Sequence, residues 1–394
     1  MTAVRRRLRQ LTAQLVPQLA AERTIEAEPH PAEGLLGPLA GVTVLDLTQM
    51  VSGPMGTQII ADQGADVIKI ENTTSGAAER GGARSTMVNP MNSVINRNKR
   101  SLSLDLKAPE GVEILKRLAE TADVVVQNFR PGVMDRMGIG WDVLSAINPA
   151  LVMVSISGFG QSGPYAQKRV YDPVIQSVSG LASIQADEND RPRMMRLIVP
   201  DKVTALTSAQ AIAAALVQRY RTGKGAHVEL AMLDATLSFA WGEGMARYGF
   251  VDGDGEGADP DENPHEYVRD MVFRTKDGYI TCGAVQQKEW EGLCAALDKP
   301  EWLTDERFAT GAARNENRDE RLRMTEEALM TMTMAEATQR LNEQQVPNGV
   351  SGPVLCAAWS PFCLVRLHGH GAVAWGAAHP SSPGQGGRGS AGGA

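Results

Sequence analysis

The sequence predicts an α/β protein: a large doubly wound domain built around a mainly parallel sheet, followed by a smaller α+β domain. Three observations carry that expectation. Short β-branched, apolar runs alternate with helical stretches between Val42 and Ile156. The chain has 394 residues, more than one small core organises. A segment rich in Gly, Asp and Glu, from Asp252 to Pro264, reads as an exposed loop or linker ahead of a second set of elements.

Taken in order, Val42 to Leu47 (VTVLDL) is a buried-strand pattern. Ser52-Gly53-Pro54 breaks the chain and opens a helix, with Pro54 near its first position, and Thr57 to Gln63 continues it to Gly64. Val67 to Glu71 (VIKIE) is a second strand, which completes a βαβ unit. Glu110 to Ala119 is amphipathic, with Val112, Leu115 and Leu118 on one side. Val124 to Val126 and Leu151 to Ile156 repeat the strand pattern. The spacing predicts a long helix over Thr207 to Tyr220, with Ile212, Ala213, Leu216 and Tyr220 on one face and Gly223 just past its end. Met271 to Thr275, Gly278 to Cys282 and a helix from Gln287 suggest the smaller domain, and Thr325 to Gln344 reads as one helix ending before Pro347. From Ser351 to Ala394 there is no Asp, Glu or Lys, and from Pro380 almost every residue is Gly, Ser, Ala or Pro. Such a stretch buries too little apolar surface to order itself; a natural disordered tail and an unnatural C-terminus both fit.

Composition excludes several classes. The net charge of -7 argues against a nucleic-acid binder. Cys282, Cys294, Cys356 and Cys363 form neither a disulfide framework nor CxxC pairs, which suits a reducing cytosol. No apolar run approaches the roughly 18 residues of a membrane span. Arg5, Arg6, Arg7 and Arg9 precede no apolar signal core, and Glu22, Glu26 and Glu28 argue against a transit peptide, so a surface helix or frayed arm is expected there.

The first βαβ turn invites a nucleotide reading, but Ser52-Gly53-Pro54-Met55-Gly56 is not GxGxxG, which argues against NAD. The turn can still offer backbone N–H groups to another ligand. No HExxH, metal cluster or GxSxG elbow is present, and no metal is expected. His227, alone in GAHVEL, reads as structural. Asp201 in LIVPDKVTALTSAQ stands just before the long helix, where a carboxylate serves as an N-cap or as an ionised nucleophile favoured by the helix dipole and Lys202. Asp172 follows Tyr171, and Pro173 excludes an ordinary helix interior.

Four blocks in one order resemble the family III (CaiB/BaiF-type) coenzyme A-transferases. They are LAGVTVLDLTQMVSGPMGTQIIADQGADVIKIE (Leu39 to Glu71), NRNKRSLSLDLKAPEG (Asn96 to Gly111), ADVVVQNFRPGVMDRMG (Ala122 to Gly138) and RTGKGAHVELAMLDA (Arg221 to Ala235). The resemblance implies a Rossmann-like large domain, a smaller α+β domain and an interlocked homodimer. It frames the chain as an extension (1–38), a CoA-binding domain (39–225), a linker and small domain (226–350) and the atypical tail (351–394). It implies transfer of CoA from an acyl-CoA to a carboxylic acid through an aspartyl anhydride and aspartyl-CoA, and composition adds the expectation of a cytoplasmic protein with neither nucleic acid nor membrane as partner. Asp201 matches the family nucleophile, with Asp172 and Tyr171 beside it in the catalytic set. Val51 and Ser52, Leu104 and Lys107, Asn128, Phe129 and Arg130, Arg136 and Arg169 match the CoA contacts, and Lys99 and Arg100 supply further cations. Asn72 stands where formyl-CoA-type members have Arg. Their tetraglycine loop has no match; Gly253-Asp254-Gly255-Glu256-Gly257 is the nearest stretch. Two alternatives remain open: an α-methylacyl-CoA racemase-like isomerase, against which Tyr171 in place of histidine counts, and an inactive CoA-binding paralogue.

Overall fold

The structure is a computed structural model and describes residues 37–72, 90–186, 189, 191–241, 271–284 and 286–351. The N-terminal arm, the Asp252 to Pro264 linker with its Gly253 to Gly257 stretch, and the tail beyond Ser351 lie outside the described residues.

The chain divides into two compact units. Met1–Gln167 with Thr204–Ala231 forms the first, and Lys168–Val203 with Met232–Ala394 the second. Among the described residues the first unit carries six strands: β1 (Thr43–Asp46), β2 (Asp66–Glu71), β3 (Lys99–Ser103), β4 (Val124–Gln127), β5 (Val152–Ser157) and β6 (Ala226–Ala231). They form one sheet in the order β3-β2-β1-β4-β5-β6, and every pairing is parallel. This is the doubly wound order, and it reverses between β1 and β4. All residues of β4 and β5 are buried, as strands in a covered parallel sheet should be. β3 (KRSLS) was not anticipated, because its polar sequence has no strand pattern. It lies on the sheet edge and is held by its parallel pairing to β2.

Helices link the strands as expected, at Ser52–Asp62 and Pro109–Ala119. Leu115 is fully buried, with Val112 and Leu118 packed around the same core. The long helix runs Val199–Thr222 and thus begins ahead of the predicted Thr207. One expectation for it fails: Tyr220 is 70% exposed. The buried stripe is Ala205, Ala209, Ile212 and Leu216. The next place on that stripe belongs to Arg219, whose guanidinium pairs with Asp123, so Tyr220 turns to solvent. Gly223, at φ 70°, closes the helix by donating to Arg219 O.

In the second unit, β7 (Val272–Arg274), β8 (Tyr279–Cys282) and β9 (Asn348–Ser351) form an antiparallel sheet in the order β7-β8-β9. Its core gathers Ile280, Trp290, Trp302, Phe308, Leu329 and Leu341. Arg314 is buried there, its guanidinium 5.3 Å from the Trp290 ring centroid, donating to Phe308 O and Gln287 Oε1 at 2.9 Å each. The predicted single helix over Thr325 to Gln344 is two, Arg318–Leu329 and Met334–Glu343. Thr333 explains the break. Its hydroxyl accepts from Glu336 N–H, and Glu336 Oε2 accepts from Thr333 N–H at 2.8 Å, a capping box that starts a new helix. Cys282 and Cys294 are buried free thiols, both pushed up to about 12 by burial. Among the described residues no helix is long and apolar enough to cross a membrane.

Candidate functional site

The point where the strand order reverses rests on a buried charge network. Asp46 ends β1 with a fully buried carboxylate. Its Oδ1 accepts from the Thr48 N–H at 2.9 Å and from the Thr48 hydroxyl. Its Oδ2 accepts from the Thr57 hydroxyl at 2.7 Å and from Lys99 Nζ at 2.9 Å. Lys69 is the register partner of Asp46 on β2; its Nζ lies 3.4 Å from Oδ1 and donates to Thr48 O. Lys99 Nζ also donates to Pro54 O at 2.7 Å and Asn96 Oδ1 at 3.0 Å. Burial alone would push the Asp46 carboxyl up, but the two ammonium groups and two hydroxyls outweigh it and hold it well below the usual carboxylate range. Burial brings the Lys99 amine down to about 8, against the pull of Asp46.

This network grips both ends of the first βα turn, at Thr48 and Pro54. Between them Met50 adopts a left-handed conformation, φ 63°, costly for a non-glycine residue. Gly53 is required: a Cβ there would run into the Thr48 side chain. Gln49 N–H donates to Asn128 Oδ1, and Asn128 Nδ2 donates to Gln49 O, both at 2.8 Å. That reciprocal pair fastens the turn to the loop after β4. The predicted CoA contacts Val51, Ser52, Asn128 and Phe129 are thereby gathered at the carboxyl ends of β1 and β4, where open α/β sheets bind ligands. Ser52 is buried as the first residue of its helix, and Val51 precedes it half-buried.

The remaining contacts of the first unit divide. Arg130 and Arg136 are exposed just beyond this loop, and a Cβ on left-handed Gly132 would meet Arg136 Nη1 at 3.1 Å. Lys107 is exposed on the turn after β3, its N–H donating to Asp105 Oδ1 at 2.9 Å. Leu104 is buried among Ile70, Leu115 and their neighbours. Two expected cations are already committed. Lys99 is 1% exposed and bound to Asp46, and Arg100 pairs with Asp66. His227 is structural as expected: its Nε2 is 2.9 Å from Ser155 Oγ and its ring stacks on Trp141, while burial holds it below its usual range.

The second unit holds Arg169, Tyr171, Asp172 and Asp201. Arg169 and Tyr171 are exposed, and Tyr171 occupies the N-cap position of the helix Asp172–Val178 without a side-chain capping bond. Asp172, the first residue of that helix, is buried. Asp201 is not ahead of the long helix but inside its first turn, after Val199 and Pro200. The first-turn N–H groups of a helix lack internal acceptors. Asp172 supplies one, for its Oδ2 accepts from the Asp201 N–H at 3.1 Å. The capping carboxylate is therefore Asp172, on another helix. Lys202 N–H donates to Ile198 O at 3.3 Å, so neither of these two N–H groups is open to an oxyanion in this conformation. Buried Gln176 completes the cluster by donating to Asp172 Oδ1 at 2.6 Å.

Sequence reasoning missed Asp46, Lys69 and Gln176. The first two had a signal: an acid inside VTVLDL and a lysine inside VIKIE are ions on strands otherwise fit for burial, which need partners there. Gln176 had none.

Comparison with known proteins identifies the family. The model of CoA-transferase family III covers residues 39–355. The human succinyl-CoA:glutarate CoA-transferase is 35% identical over 305 residues, 74% of this chain and 66% of that protein. The chain thus spans just under two thirds of the human relative. The formyl-CoA:oxalate CoA-transferase of Rhodopseudomonas palustris (strain BisA53) is 34% identical over 345 residues, 80% of this chain and 79% of that one. A crystal structure of a CaiB/BaiF family protein from Brucella suis superposes with a TM-score of 0.70 at 31% identity, covering 81% of this chain and 85% of the other. The chain belongs to CoA-transferase family III.

Proposed function

We propose that the protein transfers coenzyme A from an acyl-CoA to a free carboxylic acid, with Asp201 as the covalent nucleophile. The observation that carries this reading is the placement of Asp201 in the first helical turn, its main chain held by a buried second carboxylate. The positive end of a helix favours the ionised, attacking form. The names of the two relatives, each a CoA-transferase acting on a carboxylic acid, support it.

The steps balance without any outside reagent. An Asp201 carboxylate oxygen attacks the donor thioester carbonyl, and CoA leaves as thiolate, giving a mixed anhydride. The thiolate attacks the aspartyl carbonyl and expels the donor acid as carboxylate, leaving an aspartyl-CoA thioester. An acceptor carboxylate displaces the thiolate to form a new anhydride. Attack of the thiolate on the acceptor acyl carbonyl then releases acyl-CoA and frees Asp201. Val51, Ser52, Asn128, Phe129, Arg130, Arg136, Lys107 and Arg169 would hold CoA, with the exposed cations suited to its phosphates. Incubating one acyl-CoA with a panel of free acids, with products read by mass spectrometry, tests the reading. New acyl-CoA species are expected, and none with any acid would overturn it.

Two further results are expected. Lys107→Ala and Arg136→Ala should each weaken CoA binding about tenfold, the equivalent of one charge-assisted hydrogen bond, with little effect on first-order chemistry. Calorimetric titration with CoA measures this, and unchanged affinity in both variants would assign the two side chains to ordinary surface charge. Incubated with a 2-methylacyl-CoA in heavy water and no acceptor acid, the protein should leave the α-proton in place. Exposed Tyr171 stands where the family's racemases have a histidine, and a phenol is a poor base near neutrality. Rapid deuterium uptake would instead assign the chain to isomerisation.

A further inference from the structure

We infer that Gln176 is a positioning residue for the transfer step, acting through Asp172 on the main chain of Asp201. The inference rests on the reading of Asp201 as nucleophile. Gln176 lies one turn along the helix Asp172–Val178 from Asp172 and is 2% exposed. Its amide is used on both sides. Nε2 donates to Asp172 Oδ1 at 2.6 Å and to Leu197 O at 3.3 Å, and Oε1 accepts from Met195 N–H at 2.8 Å. Only one orientation of the amide satisfies these partners, because a main-chain N–H can only donate and a carbonyl can only accept.

The three bonds join two stretches of chain. One is the helix start that carries Asp172. The other is Met195 to Leu197, which leads directly into the helix turn of Asp201. Asp172 then closes the loop by accepting from Asp201 N–H. An i,i+4 contact between a glutamine and an aspartate is common on helices and needs no function. The bonds to Met195 and Leu197 go beyond it, since they fix the approach to the nucleophile rather than the helix itself. A carboxylate must be placed to within a fraction of an ångström to attack a bound thioester, and main-chain restraint of this kind supplies that placement.

The test compares Gln176→Glu and Gln176→Met in the full chain. The glutamate keeps the size but turns a donor toward Asp172 into an acceptor. The methionine keeps the bulk and removes both functions without adding charge. Three quantities are read: thermal unfolding, CoA dissociation constant by calorimetry, and the single-turnover rate at which donor acyl-CoA with hydroxylamine marks Asp201 as a hydroxamate. The wild-type protein is measured first; absence of the mark there removes the nucleophile reading itself and this inference with it. With the mark present, both variants are expected to fold and to bind CoA within about twofold of wild type, while marking slows about tenfold or more. The glutamate variant should be the slower. If it fails to fold, the methionine variant carries the test. Unchanged marking in the folded methionine variant overturns the inference. So does a loss of CoA affinity in step with the rate, or failure of both variants to fold, since either would assign Gln176 to general packing.

Discussion

Asp201→Ala is expected to abolish CoA transfer while the protein stays folded and binds CoA. Without the carboxylate no anhydride forms, so activity should fall to a residue on the order of a thousandth or less. Asp172 meets Asp201 through the main-chain N–H, which alanine retains. Alanine has high intrinsic helix propensity, which offsets the lost attraction between the carboxylate and the helix dipole. Loss of activity would therefore not follow from a lost cap. In the unaltered protein, hydroxylamine added during turnover should leave a hydroxamate at Asp201 and at no other carboxylate. Undiminished transfer by the alanine variant would end the assignment.

The second large effect is on stability. Asp46→Asn should destabilise the first unit by about 3–5 kcal/mol, because it leaves Lys69 and Lys99 as like charges without the buried carboxylate that joins them. Asp66→Asn, which removes the partner of exposed Arg100, should cost only about 0–1 kcal/mol. Urea unfolding of the two variants gives the comparison, and equal midpoints would show that the network contributes no more than a surface pair. The same carboxylate sets an acid limit. Its pKa in the folded protein lies below the ordinary 3.8, so the unfolded chain takes up the proton first as the pH falls. Its contribution is complete above pH 3.8 and is lost as the pH drops through the folded value.

The parallel sheet was legible because buried strands must be apolar and their helices must show one apolar face. Val124 to Val126 and Val152 to Val154 obey that rule. Lys99–Ser103 was not legible, since an edge strand is chosen by its neighbour more than by its own side chains. Thr333 and Glu336 did carry a readable capping box, and the periodicity around them masked it. The gathering of Val51, Ser52, Asn128 and Phe129 could be expected from their resemblance to family motifs, and the fold supplies its reason in the Gln49–Asn128 pair. Cation counting failed at Lys99. Sequence alone does not separate a lysine that offers its charge to a phosphate from one that spends it on a neighbouring strand.

That lysine has a chemical consequence. Proteins that handle acyl thioesters are bathed in acylating agents, and the amines most open to spontaneous acylation are accessible ones with a lowered pKa. Lys99 meets the second condition, at about 8, and fails the first, with its side chain 1% exposed. The burial that lowers its pKa is the same burial that closes it to acyl donors. An acyl mark on Lys99 would record a molecule whose β1–β2–β3 edge had opened, which makes this residue a chemical reporter of damage rather than of catalysis.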